Sequence, residues 1–163
     1  MTLAIRVATD DDLASLAQMN KHLIEDEGSR NPMSAEQLRQ RMQGWLGGDW
    51  KIDLFVEDDA VVGYAVYQFR QDEYFPDKTS VYLRQMFIER AKRSRGLGSR
   101  AFQLLTQTRI SADCPIVIDV LATNPKGAKF WSQVGFQPYC TTMHFNSANL
   151  RNHLKAQTGM KSC

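Results

Sequence analysis

Five basic side chains lie within the eleven residues 90–100, and no acidic side chain interrupts them. They are Arg90, Lys92, Arg93, Arg95 and Arg100. Two glycines, Gly96 and Gly98, lie in the same segment. Glycine lets the backbone approach a ligand closely, so that amide N–H groups can bind an anion. The combination predicts a site for a polyanion such as a diphosphate.

The elements on either side of this basic segment would hold an anion in place. The run Val81–Ile88 is rich in β-branched and aromatic residues and predicts a strand in the centre of a sheet. From Leu97 to Thr108, apolar side chains recur at helical spacing, which predicts a helix with one apolar face. The positive end of that helix would attract phosphate. A solvated basic loop before a helix is the alternative interpretation of the same residues.

The overall composition is that of an ordinary globular domain. The chain has 163 residues, of which 43% are hydrophobic and 23% charged, and a formal net charge of +2. We expect no nucleic-acid partner, because the charge is small, and no membrane span, because no apolar run approaches ~20 residues. We expect no secretory signal, because the start MTLAIRVATDDD has no apolar h-region. Cys114, Cys140 and Cys163 form no C-x-x-C pair, so we expect a reducing cytoplasm and no metal site.

The N-terminal half predicts a strand, two helices and a hairpin. Thr9 with Asp12, and Ser34 with Gln37, resemble capping boxes at two helix starts, so the acidic triplet at 10–12 is interpreted as part of a helix start rather than a metal site. The polar segment Glu25–Pro32 is either a connector or a loop on the substrate side. The expected strands are Leu3–Ala8, Ile52–Glu57 and Val61–Phe69, and Gly63 indicates a bulge or a close approach.

The C-terminal half predicts a parallel strand, a helix and a final strand pair. The apolar run Ile116–Leu121 is typical of a strand covered on both faces and parallel to the central one, and Asn124–Pro125 begins a helix. The final strands are expected at Phe136–Pro138 and Thr141–Phe145, and a short helix near Leu150–Leu154. The fold class is therefore α/β (α+β in some schemes): one mixed, mostly antiparallel twisted sheet of six to seven strands with a central parallel pair and about four helices. We expect one domain over residues 1–146 and a tail over 147–163.

Three features in this order resemble the GNAT acyltransferase superfamily. Ile88-x-Arg90-x-x-Arg93-x-x-Gly96-x-Gly98 matches its R/Q-x-x-G-x-G/A signature. Asn124 followed by Ala128-x-Phe130-Trp131-x-x-x-Gly135-Phe136 matches its second motif. The resemblance covers Val81–Phe136 firmly and the N-terminal half loosely.

The resemblance implies acetyl-CoA, or another acyl-CoA, as the co-substrate, with no metal. It implies that the main chain of Met86, Phe87 and Ile88 pairs with pantetheine where two parallel strands separate, and that Asn124 bonds the same arm. Lys129 and Phe130 would line the far side, although core packing explains Phe130 equally well. The pyrophosphate would be held by Arg93, Ser94, Arg95, Gly96, Leu97, Gly98 and Ser99.

The implied reaction is direct transfer of an acetyl group to a primary amine of a small molecule or peptide. The sequence departs from the family at two catalytic positions. Trp131 stands where many members have a tyrosine acid, and Tyr82 stands where histone-type members have a glutamate base. Glu57 and Glu73 are weak candidates for a base acting through water, although exposed carboxylates explain both. Arg84 either faces the acceptor groove and binds a carboxylate or phosphate, or is an ordinary strand-end cation.

Two rival functions remain open from the sequence. Gly96-x-Gly98-x-x-Ala101, with Asp119 about twenty residues on, also fits the dinucleotide-binding fingerprint of an oxidoreductase. The spacing from the preceding strand and the short remainder of the chain disfavour that interpretation. The missing tyrosine and glutamate favour a non-catalytic CoA sensor or interaction module. The acceptor is not specified by any motif, and a homodimer through the final strands is compatible with the sequence.

Overall fold

The computed structural model describes residues 2–159, and within them a single five-stranded sheet in the order β1-β2-β3-β4-β5. β1 to β4 are antiparallel, and β4 and β5 are parallel. The strands are β1 Leu3–Val7, β2 Lys51–Glu57, β3 Ala60–Gln71, β4 Thr79–Ile88 and β5 Ile116–Val117. The helices are α1 Leu13–Asp26, α2 Ala35–Leu46, α3 Leu97–Arg109, α4 Pro125–Gln133 and α5 Ser147–Gly159.

The sheet carries one apolar core on each face. Helices α1 and α2 cover one face, where Tyr64 and Phe87 pack with Leu16 and Met42. Helix α3 covers the other face through Leu97, Ala101 and Leu105, and Trp131 of α4 packs at its margin. This arrangement confirms the predicted mixed sheet with a parallel pair. It contradicts the dinucleotide-binding alternative, because a doubly wound fold requires a mostly parallel sheet.

The predicted helix starts and the first hairpin are confirmed. The Ser34 hydroxyl accepts from the Gln37 N–H, and the Ser34 N–H donates to the Gln37 side chain. The box of Thr9 and Asp12 surrounds a short 3₁₀ turn, Asp10–Asp12, immediately before α1. Arg6 also donates to both Asp12 oxygens at 2.8 Å, and this lowers the pKa of Asp12 to about 2.

Two irregularities shape the middle of the sheet. A Cβ at Gly63 would collide with the Phe87 carbonyl oxygen and the Ile88 side chain, which confirms the predicted close approach. In β4, Leu83 and Gln85 face the consecutive β3 residues Tyr67 and Val66, so Arg84 is the extra residue of a β-bulge. Bulges redirect a side chain, and here Arg84 turns towards the α1/α2 face.

Strands β4 and β5 separate after a short contact. They pair only at Val81↔Ile116 and Tyr82↔Val117. Beyond Tyr82, the edge of β4 from Leu83 to Ile88 has no described strand beside it on the β5 side. The parallel pair therefore opens into a slot.

The C-terminal predictions are partly wrong. The strand expected over Ile116–Leu121 contains two residues, and Val117, Val120 and Leu121 are exposed rather than covered. The strand pair expected at Phe136–Pro138 and Thr141–Phe145 is not formed; residues 136–146 run without helix, turn or bend. The sheet therefore has five strands instead of six or seven, because the residues expected to cover β5 do not return to it.

The final helix is longer than expected. The helix predicted near Leu150–Leu154 is part of α5, and Cys163 of the expected tail lies outside the described residues. None of the helices within residues 2–159 combines the length and the apolar composition needed to cross a membrane. In the same range, no three His, Cys, Asp or Glu side chains cluster closely enough to hold a metal ion.

Candidate functional site

A cavity of about 560 Å³ occupies the slot between β4 and β5. This volume is typical of small-molecule sites. The end of α1 forms one wall, the β4 residues Leu83–Ile88 form the floor, and the starts of α3 and α4 complete the rim. The slot therefore brings the two sequence motifs together at one opening.

Helix α3 begins at the end of the slot beyond Ile88 and starts with a left-handed residue. Gly96 is the N-cap and has φ of +69°. Leu97, Gly98 and Ser99 follow in the first turn and line the cavity. The first N–H groups of a helix have no partner inside it, so this turn can bind an anion. A Cβ at Gly98 would lie 3.0 Å from the Phe130 ring, which explains the absence of a side chain there.

Most cations of the basic segment are bound to acids of the protein itself. Arg90 pairs with Glu25 and Asp26 at 2.9 and 2.7 Å. The Nη2 of Arg93 lies 2.7 Å from Asp26, and its Nε donates to the Ile88 carbonyl at 2.8 Å. These contacts join the basic segment to the end of α1.

The other two paired cations share one buried carboxylate. Glu57 lies 3.6 Å from Lys92 and 3.4 Å from Arg100. Four of the five cations in the segment therefore form ion pairs within the chain, which the sequence did not indicate. Among the described residues, Arg95 of this segment has no ion-pair partner; it is exposed and, unlike Arg93 and Ser94, is not part of the cavity wall. Lys126 joins the cavity wall from α4.

The family resemblance assigns six residues to the pantetheine arm and the far side of the cofactor, and five of them line the slot. Met86, Phe87 and Ile88 form its floor. Asn124 lies on the rim, where its Oδ1 accepts from the Gly127 N–H at 2.9 Å and caps α4. Phe130 lines the slot as well. Lys129 is exposed and is not part of the wall; Lys126, one turn earlier, occupies the place expected for it.

The tryptophan at the expected acid position belongs to an aromatic cluster. Trp131 meets Phe102, Phe130 and Phe136 edge to face, with ring centroids 4.9 to 5.6 Å apart. It also reaches the cavity wall. Packing therefore accounts for all three α4-region aromatics, and the indole offers no acidic proton at this position.

The weak candidates for a base lie in three different environments. Glu57 is buried, contrary to the exposed position expected, and the cavity wall does not include it. Glu73 is exposed in the β3–β4 loop. The Tyr82 hydroxyl donates to Asp119 at 2.6 Å, and burial together with this bond raises the pKa of Tyr82. Asp119 follows β5 instead of lying within a strand as expected, and it lines the slot.

One carboxylate in the slot was not identified from the sequence. Glu27, just after α1, lines the cavity and is partly buried. Burial and the nearby Asp26 charge raise the pKa of Glu27. Its carboxylate makes no hydrogen bond or ion pair with another described side chain. The only available signal was its place in Glu25–Pro32, the segment considered as a substrate-side loop.

Arg84 lies on the wall of the same cavity. Its guanidinium stacks over the rings of Trp45 and Trp50, at 5.2 and 5.5 Å. The β-bulge places it on the α1/α2 side of the sheet, where Gln85 is held by the Tyr64 hydroxyl at 3.0 Å. The cavity thus has one end at the start of α3, where the first helical N–H groups can bind an anion, and a polar end beside Arg84.

Several solved structures have folds similar to that of this chain. No curated protein matches the sequence. A possible acetyltransferase from Clostridium difficile 630 is 16% identical, with a TM-score of 0.73 over 90% of this chain and 97% of that one. The aminoglycoside N-acetyltransferase AAC(6′)-Iy, in complex with CoA, is 16% identical, with a TM-score of 0.70 over 89% and 94%. A predicted acetyltransferase from Clostridium acetobutylicum, with acetyl-CoA, is 16% identical, with a TM-score of 0.68 over 91% and 98%.

The model of the acetyltransferase (GNAT) family matches residues 16–136, which include the end of α1, the strands β4 and β5, and the starts of α3 and α4 that surround the slot. With the open β4 edge and the glycine-capped start of α3, this match identifies the chain as a member of the GNAT acetyltransferase family.

Proposed function

We propose that this protein is an acetyl-CoA-dependent N-acetyltransferase that acetylates a primary amine of a small molecule or peptide by direct attack in a ternary complex. The observation that carries the proposal is the continuity of the slot. An unpaired strand edge leads without interruption to a helix start whose N–H groups are available. A pantetheine arm with a diphosphate at its end has the same two parts. The structures of AAC(6′)-Iy with CoA and of the clostridial protein with acetyl-CoA support this choice of donor.

The residues of the slot fit acetyl-CoA in chemical type. The main chain of Met86–Ile88 would pair with the pantetheine amides as an added strand does. The segment Arg93–Ser99 would bind the pyrophosphate, mainly through backbone N–H groups and Arg95, since Arg93 is already paired. Asn124 and Phe130 would contact the arm from the rim, and Lys126 would add charge there. When bound, acetyl-CoA supplies an acetyl group activated as a thioester.

The protein's chemical task is to position the amine and to move one proton. The amine nitrogen must lose a proton before it bonds to the acetyl carbon, while the carbon–sulfur bond breaks and sulfur keeps the electron pair. We assign the proton to the Glu27 carboxylate, because it lines the slot and is not neutralised by a cation. Its raised pKa makes it a stronger base than an exposed glutamate. A thiol of pKa about 8.5 needs little help to leave, so the absence of an acid at Trp131 is tolerable.

Binding and turnover test this proposal separately. We expect isothermal titration to show acetyl-CoA binding at one site and no binding of NADH. Product formation with a panel of amines should be followed by mass spectrometry, because exposed Cys140 would react with thiol reagents. Gly98→Glu should abolish acetyl-CoA binding. Gly98→Gln should weaken it less, since it adds bulk without charge.

Gly44→Glu is the matched control, because Gly44 is exposed in α2 and its Cβ would meet no atom within 4 Å. It should leave acetyl-CoA affinity unchanged. Binding of NADH without acetyl-CoA, or equal affinity in wild type and Gly98→Glu, would contradict the proposal.

The alternative function is a non-catalytic CoA sensor, and Trp131 is the observation that favours it. A packed indole cannot act as the acid that many family members use. Acetyl-CoA binding without product from any amine would support the sensor.

The proposed function also implies that residues 1–146 act as one domain in the cytoplasm, where reducing conditions suit the free thiols of Cys114 and Cys140.

A further inference from the structure

Three arginines lie close together beside the polar end of the slot, where Arg84 lines the cavity and Arg41 and Arg70 lie outside its wall. Arg84 stacks over Trp45 and Trp50, and Arg41 stacks over Trp45 at 4.7 Å. Arg70 lies 4.0 Å above the ring of Tyr82. Three different elements, α2, β3 and β4, therefore contribute one guanidinium each. We call this group the arginine patch: Arg41, Arg70 and Arg84 on Trp45, Trp50 and Tyr82.

The charges of the arginine patch are not neutralised by the protein. Within residues 2–159, Arg41, Arg70 and Arg84 form no ion pair with an acid. Arg41 donates to Asn20 at 2.6 Å and Arg70 to Gln68 at 3.0 Å, both uncharged acceptors. Burial and the Arg84 charge lower the pKa of Arg41, which shows that the two cations repel each other. In the basic segment, by contrast, four of five cations have acidic partners.

The position of the arginine patch links it to the slot. Arg84 is the bulged residue of β4 and lies two residues before Met86, the first of the expected pantetheine-pairing residues. Gln85 and Asp119, its neighbours in the cavity wall, flank the same region. The Nε of Arg41 is buried without a partner, so the patch retains an unused donor as well as unused charge.

We propose that the amine acceptor carries an anionic group, a carboxylate or a phosphate, which is bound by Arg84 with Arg70 and Arg41. The inference rests on the proposed function, since it names the class of acceptor for that reaction. Guanidinium groups bind planar carboxylates and phosphates through two parallel hydrogen bonds, and the aromatic rings beneath them fix their orientation. The amine of such a molecule points along β4 towards Met86.

Matched acceptors test the anionic group without changing the amine. Glycyl-phenylalanine should be compared with its C-terminal amide, and phosphoethanolamine with ethanolamine, by kcat/KM at fixed acetyl-CoA. We expect the anionic member of at least one pair to react about 10- to 100-fold better, as a charge-assisted hydrogen bond provides. Arg84→Gln should remove this preference. Arg95→Gln is the control; it should raise the KM for acetyl-CoA and leave the preference unchanged.

The outcomes separate this inference from the proposed function. If the neutral and anionic acceptors of each pair are acetylated at equal rates, the anion site is overturned and the proposed acetyltransferase function stands. If no amine is acetylated, the N-acetylated dipeptide acid and its amide should be titrated against tryptophan fluorescence in a Trp131→Phe background, where the signal comes from Trp45 and Trp50. Tighter binding of the acid, lost in Arg84→Gln, would support the anion site on its own. Equal binding of both would overturn it.

Discussion

The left-handed turn at Gly96 is the local feature on which the proposed phosphate-binding end of the slot depends. Its φ of +69° lies where non-glycine residues are strained, yet a Cβ there would meet no atom within 4 Å. Gly96→Ala therefore changes backbone preference without a steric collision. The left-handed conformation costs an L-residue about 1–2 kcal/mol. We expect this amount to be lost from the free energy of unfolding if the alanine keeps the turn.

If the turn relaxes instead, the same free energy is lost from acetyl-CoA binding rather than from folding. Helix α3 would then begin differently, its first N–H groups would lose their alignment, and acetyl-CoA affinity would fall by up to about 5- to 30-fold. Urea unfolding and isothermal titration should both be measured, because the strain must appear in one or be shared between the two. Gly44→Ala is the control; at an exposed position in α2 it should stabilise by about 0.5–1 kcal/mol. A Gly96→Ala protein with wild-type stability and wild-type affinity would refute this reasoning.

Four further substitutions have defined outcomes. Glu27→Gln should lower kcat strongly near neutral pH and leave acetyl-CoA affinity unchanged. Burial raises the pKa of Glu27, so ionised Glu27 reduces the free energy of unfolding as pH rises through that pKa; the variant should therefore be no less stable than wild type at pH 7. Asp12→Asn should lower the free energy of unfolding by about 1 kcal/mol at pH 7; the loss is small because Arg6 is exposed and water screens its pair with Asp12. The difference from wild type should persist above pH 4 and disappear as pH falls through the Asp12 pKa of about 2. Gly63→Ala should lower the free energy of unfolding by more than about 3 kcal/mol or prevent folding, because the added Cβ collides with the main chain of β4. Thermal unfolding measures this loss. Trp131→Tyr should destabilise the aromatic cluster by about 1–2 kcal/mol, and a gain in kcat would show that an acid at this position is useful.

Features encoded by neighbouring residues could be predicted from the sequence. The capping box at Ser34 depends on a residue three positions away, and the hairpin after Glu57 on two aspartates that accept positive φ. The motif around Gly96 and Gly98 likewise specifies its own turn and helix. These local rules were sufficient for the mixed sheet, for the parallel pair and for the family.

Features that depend on distant contacts could not be predicted in this way. Arg90 pairs with Glu25, 65 positions away, and Glu57 is buried only because Lys92 and Arg100 reach it. The sequence shows five cations and no sign that most have internal partners. The role proposed for Glu27 depends on the slot beside it, which forms only when β4 and β5 separate.

The C-terminal segment shows a different limit. Its alternating pattern predicts a strand, but not which sheet edge receives it. Tyr139, Met143 and Phe145 have the same pattern whether the strand pairs within one chain or with a second copy. The local prediction of extended backbone and the wrong prediction of a hairpin therefore come from the same residues.

Hydrogen exchange in the presence of acetyl-CoA tests the central claim most directly. If the slot between β4 and β5 binds the donor, acetyl-CoA should protect backbone amides in two segments, residues 84–88 of β4 and 94–99 at the start of α3. The β2 strand, which lies away from the slot, should exchange at the same rate with and without the ligand. Protection of both segments, absent in Gly98→Glu, is the predicted result. Unchanged exchange in residues 84–88 and 94–99 at saturating acetyl-CoA, or protection confined to another part of the chain, would contradict it.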